Sequence, residues 1–380
     1  MLRCVKSVFF CLVVLLSLPA CGRQNAAGDE TITVAVIAPF SGDFEPWGAA
    51  LRDGVVLAVD GWNQRGGVLG RPIQVTLHDS LCNYATAREV ATTAIDEGAQ
   101  FLIGAVCSDA SEGVAQIATE LNVLQIAPTS VDPETTLDHD GSVRPLVFRI
   151  PFLDADQGVI AARFALETLQ AETAAILYAE NSEYGLTLAD AFEETFTAGD
   201  GEILVRQTYD HDAETYYDVL QEVRDANPEI LYLPGYYNVM NRFVSQARLF
   251  GMFQTIIGSD GWDSPDLDLA ATDGSYFTTY YFPGEPRPEV TAWTQLYAAR
   301  YLTDPDAVAT LGYDAANVLF TAINAAGTTA PFSVADVLET TTFEAVSGQF
   351  AFDDLHNPIK GVLMVRVYNG RVAYVDRLMP

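Results

Sequence analysis

Positive charge is scarce in this sequence of 380 residues, which has 20 Lys and Arg against 51 Asp and Glu. The formal net charge at pH 7 is −31. A surface this acidic repels the phosphates of nucleic acids and the head groups of anionic lipids. Nucleic acids are therefore excluded as partners, and so is a membrane surface bound by charge.

Common catalytic and cofactor-binding motifs are also missing. The sequence has no G-x-G-x-x-G after its first predicted strand, no Walker loop and no G-x-S-x-G nucleophile elbow. The histidines are isolated and do not show the spacing of metal ligands; they are His78, His139, His211 and His356. We therefore predict neither a cofactor nor a metal, and an enzyme is the least supported class.

A cluster of aspartates at 263, 266, 268 and 273 invites comparison with a calcium loop. It lacks the glycine at the sixth position and the terminal glutamate of an EF-hand. The pattern predicts a solvated loop instead.

The N-terminal apolar run, Val8–Leu18, has 11 residues, whereas a bilayer needs about 20. Arg3 and Lys6 precede the run, so it predicts a signal peptide. The segment that ends at Cys21, L-P-A-C, resembles a bacterial lipobox. We expect residues 1–20 to be a lipoprotein signal, Cys21 to carry the lipid and residues 21–30 to form a tether. The alternative is an ordinary signal peptide in which the cysteine is incidental.

Cysteines are few. Of five, Cys4 and Cys11 would leave with the signal and Cys21 would be lipidated. Cys82 and Cys107 remain, and an even remainder in an oxidising compartment suggests one disulfide. Two buried free thiols are the alternative.

Short apolar runs alternate with helical periodicity along the rest of the chain, beginning with a strand at 32–38. This alternation predicts an α/β fold with parallel sheets. Two successive series predict two similar doubly wound lobes joined by a hinge of several crossovers. Lobe 1 is expected at 31–150 plus about 285–345, and lobe 2 at 151–284 plus about 346–380. Near the end of the chain, Asn369-Gly370 between alternating apolar runs predicts a hairpin.

Several segments, taken together and in order, resemble the leucine/isoleucine/valine-binding protein family, the type I periplasmic binding proteins of branched-chain amino acid ABC transporters. They include V-A-V-I-A-P-F-S-G at 34–42, D-S-L-C-N at 79–83, I-G-A-V-C-S at 103–108, F-R-I-P-F-L-D-A-D-Q-G at 148–158 and G-S-D-G at 258–261. The resemblance covers about 350 residues. It implies a protein that closes two lobes on a small ligand.

The resemblance also implies where the ends of an amino acid would bind. Ser108 matches the family's carboxylate-binding serine, beside a helix N-terminus that suits an anion. Asp260 stands where relatives carry an acid for the ammonium group. Relatives often place a threonine at the position of Val131, so either Thr129 or Ser130 substitutes for it or that hydrogen bond is missing.

Aromatic residues suit a pocket that buries an apolar side chain and orients polar ends. Tyr184 and Tyr236 match family tyrosines from the second lobe, and Trp47 and Val106 would form a wall on the first lobe. Tyr237 is expected to point elsewhere.

The function implied is an exported solute-binding lipoprotein, periplasmic or on the extracellular face. It would be a monomer held at the membrane by its lipid anchor, and it would deliver an amino acid or analogue to an ABC transporter permease. The alternative is a sensor of the same fold that binds amides, urea or similar small molecules.

Overall fold

The computed structural model describes residues 31–380 together with Met1. The predictions for the signal peptide, for the lipidation of Cys21 and for the tether lie outside these residues. Within them, the chain begins with a sheet of five parallel strands in the order β2-β1-β3-β4-β5. The strands are β1 (Ile32–Ala38), β2 (Ile73–Asp79), β3 (Phe101–Gly104), β4 (Leu124–Ala127) and β5 (Val147–Arg149).

Three helices connect the first four strands: α1 (Glu45–Gln64), α2 (Tyr84–Asp96) and α3 (Ser108–Leu121). Every residue of β3 and β4 is buried. A parallel sheet covered by helices on both faces requires such continuous apolar strands. These elements form lobe 1.

The second series begins with α4 (Asp154–Arg163) and builds another parallel sheet. Its elements are β6 (Thr173–Ala179), α5 (Glu183–Ala198), β7 (Glu202–Tyr209), α6 (Tyr217–Ala226), β8 (Ile230–Tyr232), α7 (Tyr237–Leu249), β9 (Thr255–Gly258) and β10 (Tyr276–Thr279). Strands β6 to β10 are parallel in the order β10-β9-β8-β6-β7. They form the centre of lobe 2.

The chain then returns to lobe 1 with α8 (Pro288–Tyr301), α9 (Ala307–Ala326) and α10 (Pro331–Thr340). Helix α9 packs along α1, and α10 packs on α9. A small antiparallel sheet follows, made of β11 (Phe343–Ala345), β12 (Gly348–Phe352) and β13 (Pro358–Lys360). This sheet runs across residue 346, where we expected the chain to pass to lobe 2.

Two antiparallel strands, β14 (Val362–Tyr368) and β15 (Arg371–Leu378), complete the sheet of lobe 2. Asn369 and Gly370 turn the chain between them with φ of 52° and 70°. The predicted hairpin is confirmed, because both residues tolerate the positive φ that such a turn needs.

The prediction of two α/β lobes with parallel sheets is confirmed. The chain crosses between the lobes three times: after β5, after β10 and after β13. In residues 31–380 no single helix is long and apolar enough to span a membrane. Helices α9 and α10 meet that test only as a pair, and they are bent by 107° at their junction.

Gly54 allows the close approach of α1 and α9. A Cβ at this position would lie 2.0 Å from the carbonyl oxygen of Ala309, which is backbone and cannot swing away. A Cβ added at Gly61, on the same helix, would meet no atom of the described residues within 4 Å. Comparing alanine substitutions at the two glycines therefore separates the effect of helix packing on stability from the effect of helix propensity.

We expect Gly54→Ala to destabilise the protein by about 1–3 kcal/mol, because the helices must move apart. Gly61→Ala is the matched control, and we expect it to be neutral or to stabilise by up to about 1 kcal/mol. Urea unfolding followed by circular dichroism would measure both variants. Equal effects of the two substitutions would contradict the packing role of Gly54.

Candidate functional site

A cleft with a volume of about 500 Å³ lies between the lobes, at the carboxyl ends of the parallel strands. Ligands of open α/β sheets commonly bind at this edge. Lobe 1 lines the cleft with Phe44, Trp47, Val106, Cys107, Ser108, Thr129, Val131, Ala307, Val308 and Leu311. Asp154, Tyr184, Tyr236, Tyr237, Asp260, Gly261, Asp263, Thr279 and Tyr280 line it from lobe 2 and its crossovers.

The lobe 1 wall contains the N-terminus of α3. This helix begins at Ser108. Within its first turn, the Ser111 hydroxyl donates to the carbonyl of Ala105 and accepts from the Ala105 N–H. The first N–H groups of a helix have no intrahelical partner, and within the described residues no side chain caps those of α3. These groups and the Ser108 hydroxyl suit a carboxylate.

A disulfide holds this helix start. Cys107 is the N-cap residue of α3 and is bonded to Cys82, with 5.3 Å between their Cα atoms. Cys82 belongs to the loop between β2 and α2. The predicted pairing is confirmed, and it ties two lobe 1 loops together directly beside Ser108.

Thr129 and Val131 line the cleft, whereas Ser130 does not. Ser130 is fully buried, and its hydroxyl shares a 2.7 Å hydrogen bond with that of Thr135. The Thr129 hydroxyl donates to the carbonyl oxygen of Val106 at 2.7 Å. Its oxygen can therefore still accept a hydrogen bond, which suits an ammonium group better than a carboxylate.

The lobe 2 wall is organised around Asp260, which opens a 3-10 turn directly after β9. Tyr184 donates its hydroxyl to Asp260 Oδ1 at 2.5 Å, and Gln157 Nε2 donates to the same oxygen at 3.0 Å. The Asp260 N–H donates to Gln157 Oε1. Thr278 on β10 donates to that amide oxygen as well. Residues from two helices, α4 and α5, and from strand β10 thus hold the Asp260 carboxylate in place.

Asp154 is a second acid in the same wall that we did not predict. It is the first residue of α4, and Gln157 Nε2 donates to its Oδ1 at 3.2 Å. Burial, and then the charge of Asp260, raise the pKa of Asp154 to about 8. Burial also raises the pKa of Asp260, against the hydrogen bonds from Tyr184 and Gln157. Burial and their mutual repulsion therefore disfavour the state in which both acids are ionised.

Aromatic rings cover much of the cleft surface. The ring of Tyr184 stacks on that of Tyr236 at a centroid distance of 5.1 Å, and Phe44 and Trp47 lie 5.2 Å apart on the opposite lobe. Our expectation for Tyr237 was wrong: it lines the cleft while also packing against the core of lobe 2. Its position at the first turn of α7 lets it do both.

The four aspartates of the predicted solvated loop are all exposed, namely Asp263, Asp266, Asp268 and Asp273. Asp263 also lines the cleft, where Thr279 donates its hydroxyl to Asp263 Oδ2 at 2.6 Å. Although its side chain is open to the cleft, the protein around the Asp263 carboxylate raises its pKa, against the Thr279 hydrogen bond. The cleft thus carries three acids.

No Arg, Lys or His is among the described residues that line the cleft. Outside it, one group in residues 31–380 could offer ligand atoms to a metal, namely Glu112, Glu134 and His139, whose atoms lie within 4.8 Å of one another. The cleft itself is suited to a small ligand with a carboxylate at one end and a cation at the other.

Comparison with known proteins agrees with this geometry. The family described as "Periplasmic binding protein" matches residues 31–371. The leucine-, isoleucine-, valine-, threonine- and alanine-binding protein of Pseudomonas aeruginosa is 27% identical over 328 residues, which is 86% of each chain.

Two solved structures share the fold. A leucine-binding protein from Thermotoga maritima is 30% identical, with a TM-score of 0.75 over 92% of this chain and 99% of its own. A branched-chain amino acid transporter substrate-binding protein from Streptococcus pneumoniae, in complex with isoleucine, is 27% identical, with a TM-score of 0.76 over 92% and 100%.

The acid pair formed by Asp154 and Asp260 gives a prediction about the stability of the folded protein. The folded-state pKa of Asp154 lies above its ordinary value of 3.8, so the folded state binds the proton more tightly than the unfolded chain does. Stability is therefore lost as the pH rises from about 4 to about 8. Asp154→Asn keeps the shape without the charge.

We expect the ligand-free Asp154→Asn variant to melt at a higher temperature than wild type at pH 8, and to lose this advantage near pH 4. Each kcal/mol corresponds to about 2–4 °C in a domain of this size. Differential scanning calorimetry across this pH range measures the effect. The exposed Asp266→Asn is the control for the loss of one negative charge, and an equal, pH-independent shift in both variants would contradict the buried acid pair.

Proposed function

This chain belongs to the periplasmic binding protein family, and we propose that it is the extracytoplasmic solute-binding component of an ABC importer. Its ligand would be an amino acid of the branched-chain or hydrophobic type, or a related small polar molecule. One observation carries the proposal: an uncapped helix N-terminus on one lobe faces a pair of acids on the other across one cleft. The chain's membership of the family, its fold and the named relatives support the proposal.

In this proposal the ligand bridges two incomplete half-sites. Its carboxylate binds Ser108 and the first N–H groups of α3. Its ammonium binds Asp260 and Asp154 and donates to the Thr129 oxygen. Neither lobe alone satisfies both charges, so the ligand favours the closed arrangement by contacting both at once. The three crossovers between the lobes provide the hinge.

The ligand's side chain would lie against the apolar part of lobe 1. Trp47 and Phe44 are half exposed in this structure, and Val308 and Leu311 also line the cleft. Large apolar side chains left open to solvent in a cleft gain free energy when a ligand covers them. The amino acids named for the relatives above are mostly apolar, which supports this role.

Membership of the family implies an exported, periplasmic protein. We further propose that Cys21 carries a lipid that anchors the protein to the membrane, which the L-P-A-C segment supports. The Cys82–Cys107 disulfide is consistent with an oxidising compartment. The partner would be a permease that docks the closed form, and a monomer fits lobes that must move. The lobe boundaries expected near residues 150 and 285 remain part of this proposal, and we place the last passage to lobe 2 after β13 instead of at residue 346.

Isothermal titration calorimetry tests the ligand class. The protein would be unfolded and refolded to remove bound ligand, then titrated with Leu, Ile, Val, other amino acids, urea and short amides. We expect one amino acid to bind saturably. Binding of an amide or urea with no response to any amino acid would support the sensor instead and contradict the assignment of the two charged half-sites.

Two substitutions separate the ends of the ligand. We expect Asp260→Ala to weaken amino-acid binding more than about tenfold, because the ammonium loses its principal acceptor. Ser108→Ala should weaken ligands that carry a carboxylate and spare a neutral amide made from the same amino acid. Calorimetry of each variant with the acid and its amide measures this. Unchanged affinity in the first variant, or equal losses for acid and amide in the second, would refute the corresponding role.

A further inference from the structure

The cleft carries one acid, Asp263, that the proposed amino-acid contacts leave without a role. The ligand's carboxylate is assigned to α3, and its ammonium is assigned to Asp260 and Asp154. Asp263 lines the same cavity, and none of these contacts accounts for it.

Asp263 is held toward the ligand by the local backbone. Asp260–Trp262 form a 3-10 turn, and the Asp263 N–H donates to the carbonyl of Asp260 at 2.9 Å. Side chains three residues apart in such a turn project from the same side, so Asp263 faces the cleft beside Asp260. The Thr279 hydroxyl occupies Oδ2, which leaves Oδ1 without a donor in the described part of the chain.

Within residues 31–380, the surroundings of Asp263 contain no compensating positive charge. The charged groups that act on it are Asp260 and Asp306, both acidic, and its pKa of about 6 leaves it ionised at pH 7. In this structure its side chain is still exposed to the cleft. Closure would remove that water, and an enclosed carboxylate is costly without a cation or a strong donor.

The cleft also offers apolar surface. Ala307, Val308 and Leu311 lie on the first turns of α9, directly after Asp306, and all three line the cavity. Ala307 and Val308 are partly exposed and offer this surface, whereas Leu311 is almost fully buried. An aliphatic stem with a charged head packs its methylenes on such a surface and extends the head to an acid.

We propose that the ligand's side chain is an aliphatic stem that ends in a positive charge, and that Asp263 is its counter-ion. This inference rests on the proposed solute-binding function and its two charged half-sites. It replaces the branched-chain or hydrophobic side chain proposed above with a basic one, such as that of lysine, ornithine or arginine. Asp263 thereby sets the specificity for the side chain, while Asp260 and Ser108 recognise what all amino acids share.

The test compares basic amino acids with norleucine, which has the four-carbon stem of lysine without its ammonium group. Calorimetry of the refolded full chain would use lysine, ornithine, arginine, norleucine and leucine. We expect at least one basic amino acid to bind about tenfold or more tightly than norleucine. Asp263→Asn should abolish that preference, because it weakens the basic amino acid and improves norleucine binding by removing a charge that norleucine cannot compensate. Asp266→Asn, which removes an exposed charge from the same loop, should leave the preference intact.

The possible failures can be distinguished. Norleucine or leucine binding as tightly as every basic amino acid, with no effect of Asp263→Asn on this ratio, overturns the inference and leaves the proposed function standing. A loss of all ligands alike in Asp263→Asn also overturns it, since the residue would then support the cleft as a whole. No binding of any amino acid to the wild type would overturn both.

Discussion

Two carboxylates that share one amide cannot both stay ionised in a closed, dry cleft unless a cation enters with them. Asp154 and Asp260 stand on either side of Gln157, and the charge of each disfavours ionisation of the other. In the open protein, water and a retained proton relieve this repulsion. In a closed protein, a ligand's ammonium group would relieve it better. The free energy that ionisation costs in the empty cleft is therefore recovered on binding, which couples closure to occupancy.

The fold holds these acids in place through elements far apart in the sequence. Gln157 comes from α4, Tyr184 from α5, Asp260 from the turn after β9 and Thr278 from β10. They meet because parallel strands bring all their carboxyl ends to one edge. In lobe 1 the carboxyl ends of the parallel strands also meet at one edge, but this edge does not carry acids. There the edge presents a helix N-terminus, which the disulfide at Cys107 and the hydrogen bond from Ser111 to Ala105 hold in position. One architecture thus supplies an anion site and a cation site that face each other.

Strong local signals made most of this frame predictable. Strand β1 is a nearly continuous buried run, and Asn369-Gly370 has one favoured conformation, so both follow from the sequence. Strands β5 and β10 have only three and four residues, too few to show a period. The roles of Asp154 and Asp263 depended on contacts that no local pattern reveals. The partners of Asp154, Gln157 and Asp260, are related only through the tertiary fold, and Asp263 looks like a loop aspartate until Thr279 is seen beside it.

The difference between Asp260 and Asp263 shows where ligand identity can be read. Asp260 sits in a segment that resembles a known family, so its role could be inferred by matching positions. Asp263 acts through its position one turn later, its bond to Thr279 and the lack of any base among the described residues of the cleft lining. A neutral apolar side chain would leave that carboxylate enclosed and uncompensated, even though it filled the apolar surface of α9. The electrostatic cost exceeds what a few methylenes regain, at about 0.8 kcal/mol each. A basic side chain covers the apolar surface of α9 with its stem and neutralises Asp263 with its charge. We therefore favour a basic side chain over a neutral apolar one.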